Sequence, residues 1–175
     1  MLPNISTRID NLIKAMETIV SPAVDPKNGL AQEQATLIVG HLKLLNSQWD
    51  MAYLFEKRAF EEMMFLGREL LSSADGGSKT RAAKLALQEE IRAVPENRPR
   101  TSEGINQYTR TVGNAIDELI YACHDDGAIE FKKLMAESVF AAGEKQIMRE
   151  RIWFQATGLD PEPGKLPSIE TMLLD

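Results

Sequence analysis

The sequence predicts an all-α fold, an antiparallel bundle of four to five helices with one long central helix and an extended C-terminal tail. Three observations lead to this prediction. Apolar residues recur every three or four positions over several long stretches, which is the spacing of one helix face. No stretch alternates apolar and polar residues between turn signals, as a half-buried strand would. Segments containing Gly and Pro separate the periodic stretches and mark the connections between helices.

The first predicted helix begins near Ile5 and ends at Ser21, because Pro22 disfavours the α conformation of the residue before it. Thr7 and Asp10 have the spacing of a capping box at its start. Its apolar stripe comprises Ile5, Ile9, Leu12, Ile13, Met16, Ile19 and Val20.

The long central helix is predicted over residues 30–72, where apolar residues keep a spacing of three and four throughout. Two helices with a tight break near Asn46 and Ser47 would produce the same pattern. We favour a single helix, because Asn46 and Ser47 are isolated and not part of a turn cluster. Its bulky residues occupy more than one face, and they are Trp49, Tyr53, Phe55, Phe60, Met63, Met64 and Phe65.

The second half of the chain predicts three further helices. A loop over residues 72–78 precedes a short helix over residues 79–93, and a proline-containing linker over residues 94–100 follows. Thr101 or Ser102 is expected to cap a helix that ends near residue 123. Its buried stripe is expected to comprise Ile105, Tyr108, Val112, Ala115, Ile116, Leu119, Ile120 and Cys123. The last helix ends near residue 156, and Gly158 has the position of a C-cap glycine. We therefore predict a bundle domain over residues 1–158 and an extended tail over residues 159–175, which ends in an apolar hook of Met172, Leu173 and Leu174. The hook is expected either to fold back onto the bundle or to dock on another chain.

Composition excludes several classes of protein. A chain of 175 residues is long enough to bury a core without disulfides or metals. The net charge of −6 argues against a general nucleic-acid binder, which needs a surplus of Lys and Arg. Cys123 is the only cysteine, so an intrachain disulfide is impossible. The start of the chain lacks the pattern of a signal peptide, and no apolar run reaches the ~18 residues of a membrane span. We expect a cytoplasmic protein that is not bound to a membrane.

The sequence contains none of the common catalytic or cofactor motifs. Neither His41 nor His124 follows a Glu by three residues, so the Glu-x-x-His pairs of di-metal bundles are missing. We predict neither a metal nor a cofactor. The Gly-Gly-Ser-Lys-Thr sequence at 76–80 resembles the end of a phosphate-binding loop, but the upstream glycine and the buried strand are missing. We interpret it as a flexible turn.

Three polar features each allow a structural and a functional interpretation. Asp126, beside His124 and Asp125, is expected to be the N-cap of the following helix, and Cys123 is expected to be a small buried hydrophobe. His41 is expected to be partly buried on its helix. A basic run comprises Lys79, Arg81, Lys84, Arg92, Arg98 and Arg100. The run is either a solvated face or a docking site for an acidic or phosphate-bearing partner, and its first three residues are our candidates for partner binding together with Met172, Leu173 and Leu174.

The spacing of apolar residues around the Pro-Ala step at residues 22–23 resembles the pattern of a known family. This family is a small uncharacterised bacterial helical domain that accompanies aminoglycoside-phosphotransferase-like kinases and acyl-CoA dehydrogenases. The matching segments are residues 12–15, 20–24, 31–45 and 126–145. The resemblance implies a non-catalytic companion of a kinase-like or acyl-CoA enzyme, and it implies no active-site residue.

Two functional hypotheses follow. The first is a non-catalytic accessory or interaction protein that binds a larger enzyme or self-associates, since catalytic motifs are absent while apolar bulk exceeds what one helix face needs. The alternative is a small helical enzyme or ligand-binding domain with a pocket between the long helices. Its candidate ligand residues are His41, Asp50, Tyr53, Glu56, Arg58 and His124.

Overall fold

Helices account for nearly all regular structure in the computed structural model, which describes residues 3–95 and 99–174. They are α1 (Ile5–Ala15, continued by a π-helical turn at Met16–Val20 and a short α-helical segment at Ser21–Ala23), α2 (Gly29–Gln48), α3 (Ala52–Ser73), α4 (Ser78–Ala93), α5 (Ser102–Asp126), α6 (Ile129–Trp153) and α7 (Ile169–Leu174). Two 3₁₀ turns lie at Gln155–Thr157 and Pro163–Lys165. The described residues contain no strand, only an isolated bridge between Gly76 and Gly127. The all-α prediction is confirmed, although the described helices outnumber the four to five expected.

The start and end of α1 differ from the prediction. The Asn4 side chain accepts a hydrogen bond from the Thr7 backbone N–H at 2.8 Å, so Asn4 is the N-cap and Thr7 is not. The helix also continues through Pro22, because a π-helical turn precedes it and Pro22 falls at the beginning of the last segment. A missing N–H costs little at that position.

The predicted single central helix is wrong. Helix α2 ends at Gln48, and α3 begins at Ala52 after a tight turn in which the Met51 N–H donates to the Gln48 carbonyl at 3.0 Å. The Gln48 side chain is buried and donates to the carbonyl of Trp153 at 2.8 Å. Because the turn adds so few residues, the spacing of three and four continues across it, and periodicity alone does not reveal the break.

Residues 3–51 and 150–174 form the first of two compact units. Helices α1 and α2 pair antiparallel, since Asp10 bonds Asn46 at 2.8 Å while the later Glu17 forms an ion pair with the earlier Lys43 at 2.7 Å. The buried residues of this unit are Ala35, Gln48, Ile152, Trp153 and Ile169. Helix α1 has no buried residue despite its strongly apolar stripe. The first unit therefore has a thin core.

The tail packs within the first unit, which is one of the two predicted alternatives, but residues 169–174 form helix α7 where an extended conformation was predicted. Arg151 binds the Asp160 carboxylate with two hydrogen bonds of 2.8 and 3.0 Å. Gln155 donates to the Pro167 carbonyl at 3.1 Å, and Ile169 is buried. The boundary of this unit lies at residue 150, so it does not coincide with the predicted domain boundary at 158.

The second unit comprises residues 52–95 and 99–149 and contains a dense apolar core. Helices α3, α4 and α5 supply most of this core, and Phe131 of α6 adds to it. Its most deeply buried apolar residues are Leu70, Leu87, Ile105, Val112, Leu119, Cys123 and Phe131. The apolar stripe predicted for α5 is confirmed, and so is Thr101 as its N-cap, which accepts from the Gly104 N–H at 3.2 Å.

Candidate functional site

The start of α4 is capped from across the second unit by Asp126. Its carboxylate accepts from the backbone N–H groups of Lys79 and Thr80, each at 2.9 Å, and from the Thr80 hydroxyl at 2.6 Å. We predicted that Asp126 caps the following helix, and this is wrong. The Thr80 hydroxyl, followed by the two N–H groups, holds the pKa of Asp126 below its ordinary value.

The segment that resembles a phosphate-binding loop leaves no room for an anion. A carboxylate already occupies the N-terminal end of α4, where phosphate would bind. The Gly77 N–H donates to the Asp126 carbonyl at 2.8 Å, and a Cβ at Gly77 would collide with the Asp126 side chain. The predicted flexible turn is instead held by these bonds.

The three basic candidates for partner binding all contact their own chain around this capped helix. Lys79 Nζ lies 2.6 Å from the Asp125 carboxylate, and this hydrogen bond raises the pKa of Lys79 and lowers that of Asp125. Arg81 donates to the Gly76 carbonyl at 2.9 Å. Lys84 donates to the carbonyl of Ala74 at 2.8 Å, just beyond the end of α3. Their role toward a partner stays a prediction.

Other predicted contact residues lie nearby or in the tail. Arg92 pairs with Glu89, Arg100 is exposed, and Arg98 lies outside the described residues. Met172 and Leu173 are half-buried, whereas Leu174 is exposed.

The six predicted ligand residues are divided between the two units. His41 and Asp50 are exposed in the first unit, so the prediction of a partly buried His41 is wrong. In the second unit, the Tyr53 hydroxyl donates to the Pro99 carbonyl at 3.2 Å, and Glu56 accepts from Asn106 at 3.0 Å. The other two are Arg58, which pairs with Glu62, and His124, whose side chain is 89% exposed.

A cleft of about 240 Å³ in the second unit is lined by other residues, which the sequence analysis did not identify. Its walls are apolar and are formed by residues of α3, α5 and α6, namely Ala59, Met63, Leu66, Gly113, Ile116, Ile120, Val139, Ala142 and Gly143. Its polar lining residues are Glu62, Asp117, Gln146 and Arg149. The buried Arg149 forms an ion pair with Glu62 and lies 5.6 Å from the centre of the Phe55 ring. Glu62 and Arg149 are 87 residues apart in sequence, so no local pattern links them.

Side chains for metal or nucleophilic chemistry are not assembled in the described part of the chain. Within it, no three His, Cys, Asp or Glu side chains are grouped so that they could hold a metal ion. Cys123 is fully buried, and this burial raises the pKa of its thiol. A buried thiol with a raised pKa is a poor nucleophile. No helix in residues 3–95 and 99–174 is long and apolar enough to cross a bilayer.

The first unit exposes large apolar side chains on both helices of the α1–α2 pair. They are Ile5, Leu12, Ile19 and Val20 of α1 together with its π-helical turn, and Leu30, Leu37, Ile38 and Leu45 of α2, each at least 44% exposed. Exposed apolar patches that are contiguous mark interaction sites more often than chance.

Comparisons with family models, curated proteins and solved structures yield no match to this chain.

Proposed function

We propose that this protein is a cytoplasmic, non-catalytic accessory protein that docks a helical segment of a larger enzyme on the apolar side of the α1–α2 pair. The observation that supports the proposal is the exposure of these apolar residues on a two-helix layer with a thin core. We call the surface formed by Ile5, Leu12, Leu30, Leu37, Ile38 and Leu45 the hairpin face.

The hairpin face draws its residues from both helices of the pair. Asp10 and Asn46 mark the sides on which α1 and α2 face each other. At about 100° per residue, the six residues lie between about 80° and 180° around their own helix from these sides, in the same sense of sequence rotation. Because the helices are antiparallel, rotation in the same sense leads toward the same side of the pair, and Ile38 and Leu45 lie nearest to the neighbouring helix.

A partner helix fits this surface better than a small ligand does. The exposed stripe of α2 runs from Leu30 to Leu45 and is about 22 Å long, which matches four turns of a helix. A shallow apolar surface of this length binds an amphipathic helix through anchors spaced by three, four and seven residues. His41 lies within the same stripe, so its imidazole would sit at the contact and not in a cavity. The resemblance to companions of kinase-like and acyl-CoA enzymes names the class of partner.

The test is affinity purification of the tagged chain from its source cells, followed by reconstitution with the purified protein that accompanies it. Wild type is compared with Leu37→Glu, which places a charge in the hairpin face, and with Leu85→Glu, a matched control at an exposed leucine of α4. We expect a stoichiometric partner that Leu37→Glu loses and Leu85→Glu retains. Equal binding by both variants would contradict the proposal.

A second candidate function, binding of a small ligand, is favoured by the cleft of the second unit. Its apolar walls and the Glu62–Arg149 pair suit a small apolar molecule with one polar end. A fragment screen by NMR tests this candidate, with Ala142→Leu as a variant that fills the cleft. Ligands whose binding survives Ala142→Leu would argue against the cleft as their site.

A further inference from the structure

Helix α6 carries apolar residues on two opposite sides. Its inner side packs Phe131, Met135 and Ala142 against the core of the second unit. Its outer side exposes Ile129 at 81%, Phe140 at 77% and Ile147 at 60%, with the exposed Ala136 between them. A helix that is apolar on opposite sides is normally covered on both.

The outer residues of α6 form a narrow stripe. Ile129, Ala136, Phe140 and Ile147 follow one another at steps of seven, four and seven residues. At about 100° per residue they project within about 40° of one another, over a length of about 27 Å. We call these four residues the α6 stripe.

The α6 stripe is complementary in shape to itself when two copies run antiparallel. A two-fold axis at the level of Ser138 brings Ile129 opposite Ile147 of the second copy. The same axis places the large Phe140 opposite the small Ala136, and this pairing occurs twice by symmetry. Large residues opposite small ones allow close helix packing.

Charges beside the stripe are complementary in the same register. Lys133 and Glu144 are both exposed, and neither forms an ion pair with another residue of the described chain. Both residues lie on the same flank of the stripe. In an antiparallel, two-fold symmetric pair, this flank of one copy lies beside the same flank of the other copy. The same two-fold axis puts Lys133 within one residue, about 1.5 Å along the helix, of the level of Glu144 in the other copy. Each dimer would contain two such pairs.

We propose that a second copy of this chain covers the α6 stripe, in an antiparallel and two-fold symmetric helix pair. The surface lies on the second unit and uses none of the residues of the hairpin face. Self-association through α6 is therefore independent of the partner binding proposed above, and the two can fail separately.

The first test measures the mass of the full chain in solution by light scattering and sedimentation, at concentrations up to about 1 mM. We expect wild type to reach the mass of a dimer. Phe140→Glu should weaken the dimer by at least about tenfold, because two charges would be buried at the contact. Leu85→Glu, the exposed control on α4, should leave the dimer unchanged. Circular dichroism checks that each variant is folded, as expected for substitutions of exposed side chains.

Charge reversal tests the register itself. Lys133→Glu and Glu144→Lys should each weaken self-association by about tenfold, since each variant places two pairs of like charges together. The double variant should restore the dimer, because both pairs are reversed. A mixture of the two single variants should form a heterodimer, since both of its pairs are again opposite in charge. The proposal would be overturned if wild type stayed monomeric at all concentrations. It would also be overturned if neither Phe140→Glu nor the charge reversals changed the stability of the dimer.

Discussion

Asp126 shows how one side chain can organise a junction between helices. It belongs to the last turn of α5, yet its carboxylate accepts three hydrogen bonds from the start of α4. The hydroxyl of the fully buried Thr80 has its shorter hydrogen bond, 2.6 Å, to this carboxylate and a longer one, 3.3 Å, to the Ala122 carbonyl. A carboxylate at the positive end of a helix also interacts favourably with the helix dipole. The residue therefore has a structural role in the capped helix.

We predict that the contribution of Asp126 to stability is lost in acid. Its pKa is lowered in the folded state, so its contribution is complete above the unfolded pKa, near 4, and disappears as the pH falls through the folded pKa. Wild type should melt about 2–4 °C above Asp126→Asn at neutral pH, and the gap should narrow as the pH falls below about 4. Melting curves of both proteins between pH 7 and pH 2 measure it. A gap that widens in acid would contradict this role.

At the scale of the element, two glycines differ in whether the surrounding structure requires the absence of a side chain. Gly40 lies in the interior of α2 with open space around the position of a Cβ, whereas Gly77 touches the Asp126 carboxylate. A glycine inside an exposed helix costs stability, while a glycine at a close approach is required there.

We predict opposite effects of alanine at these two glycines. Gly40→Ala should stabilise the chain by about 0.5–1 kcal/mol, because alanine loses less backbone entropy in a helix. Gly77→Ala should destabilise it, since the new methyl group displaces the carboxylate that caps α4. Chemical denaturation of the two variants and the wild type measures both effects. The same sign for both would contradict the close approach at Gly77.

The tail gives a second prediction at this scale. Removal of residues 159–175 takes away Asp160 and the buried Ile169, so Arg151 loses its carboxylate and the first unit loses part of its small core. We expect faster hydrogen exchange in the last turns of α2 and α6. Leu174→Ser, at an exposed position, is the control and should leave exchange unchanged. Full protection in the truncated chain would show that the tail is dispensable for folding.

At the scale of the whole molecule, the two units differ in how much apolar surface they bury. The second unit has a core in which Leu70, Leu87 and Leu119 are fully buried, whereas the first unit buries five residues in its described part. A thin core beside exposed apolar residues is the physical basis for proposing that the first unit is completed by a partner.

Leu119→Ala tests the core of the second unit. The side chain is fully buried, so its truncation should cost about 2–5 kcal/mol of unfolding free energy. Leu12→Ala, at a half-exposed residue of α1, is the comparison and should cost less than about 1 kcal/mol. Urea denaturation followed by circular dichroism gives both values. Equal costs would mean that Leu12 is buried in solution, for example in a complex.

The sequence by itself determined the helical class, the loop before α4, the cap at Thr101, the stripe of α5 and the αL glycine at 158. These features depend on local spacing and on residues that cap or end helices, so one segment is enough to reveal them.

Only the tertiary structure decided the break after Gln48, the partner of Asp126, the folded tail and the cleft around Arg149. Each depends on residues distant in sequence. The Gln48 side chain donates to the carbonyl of Trp153, and the Asp126 carboxylate accepts from the Thr80 hydroxyl. A local capping rule would instead assign Asp126 to the helix that follows it. Helical periodicity shows that one face of a helix is apolar. Which element covers that face depends on contacts between residues that are distant in sequence.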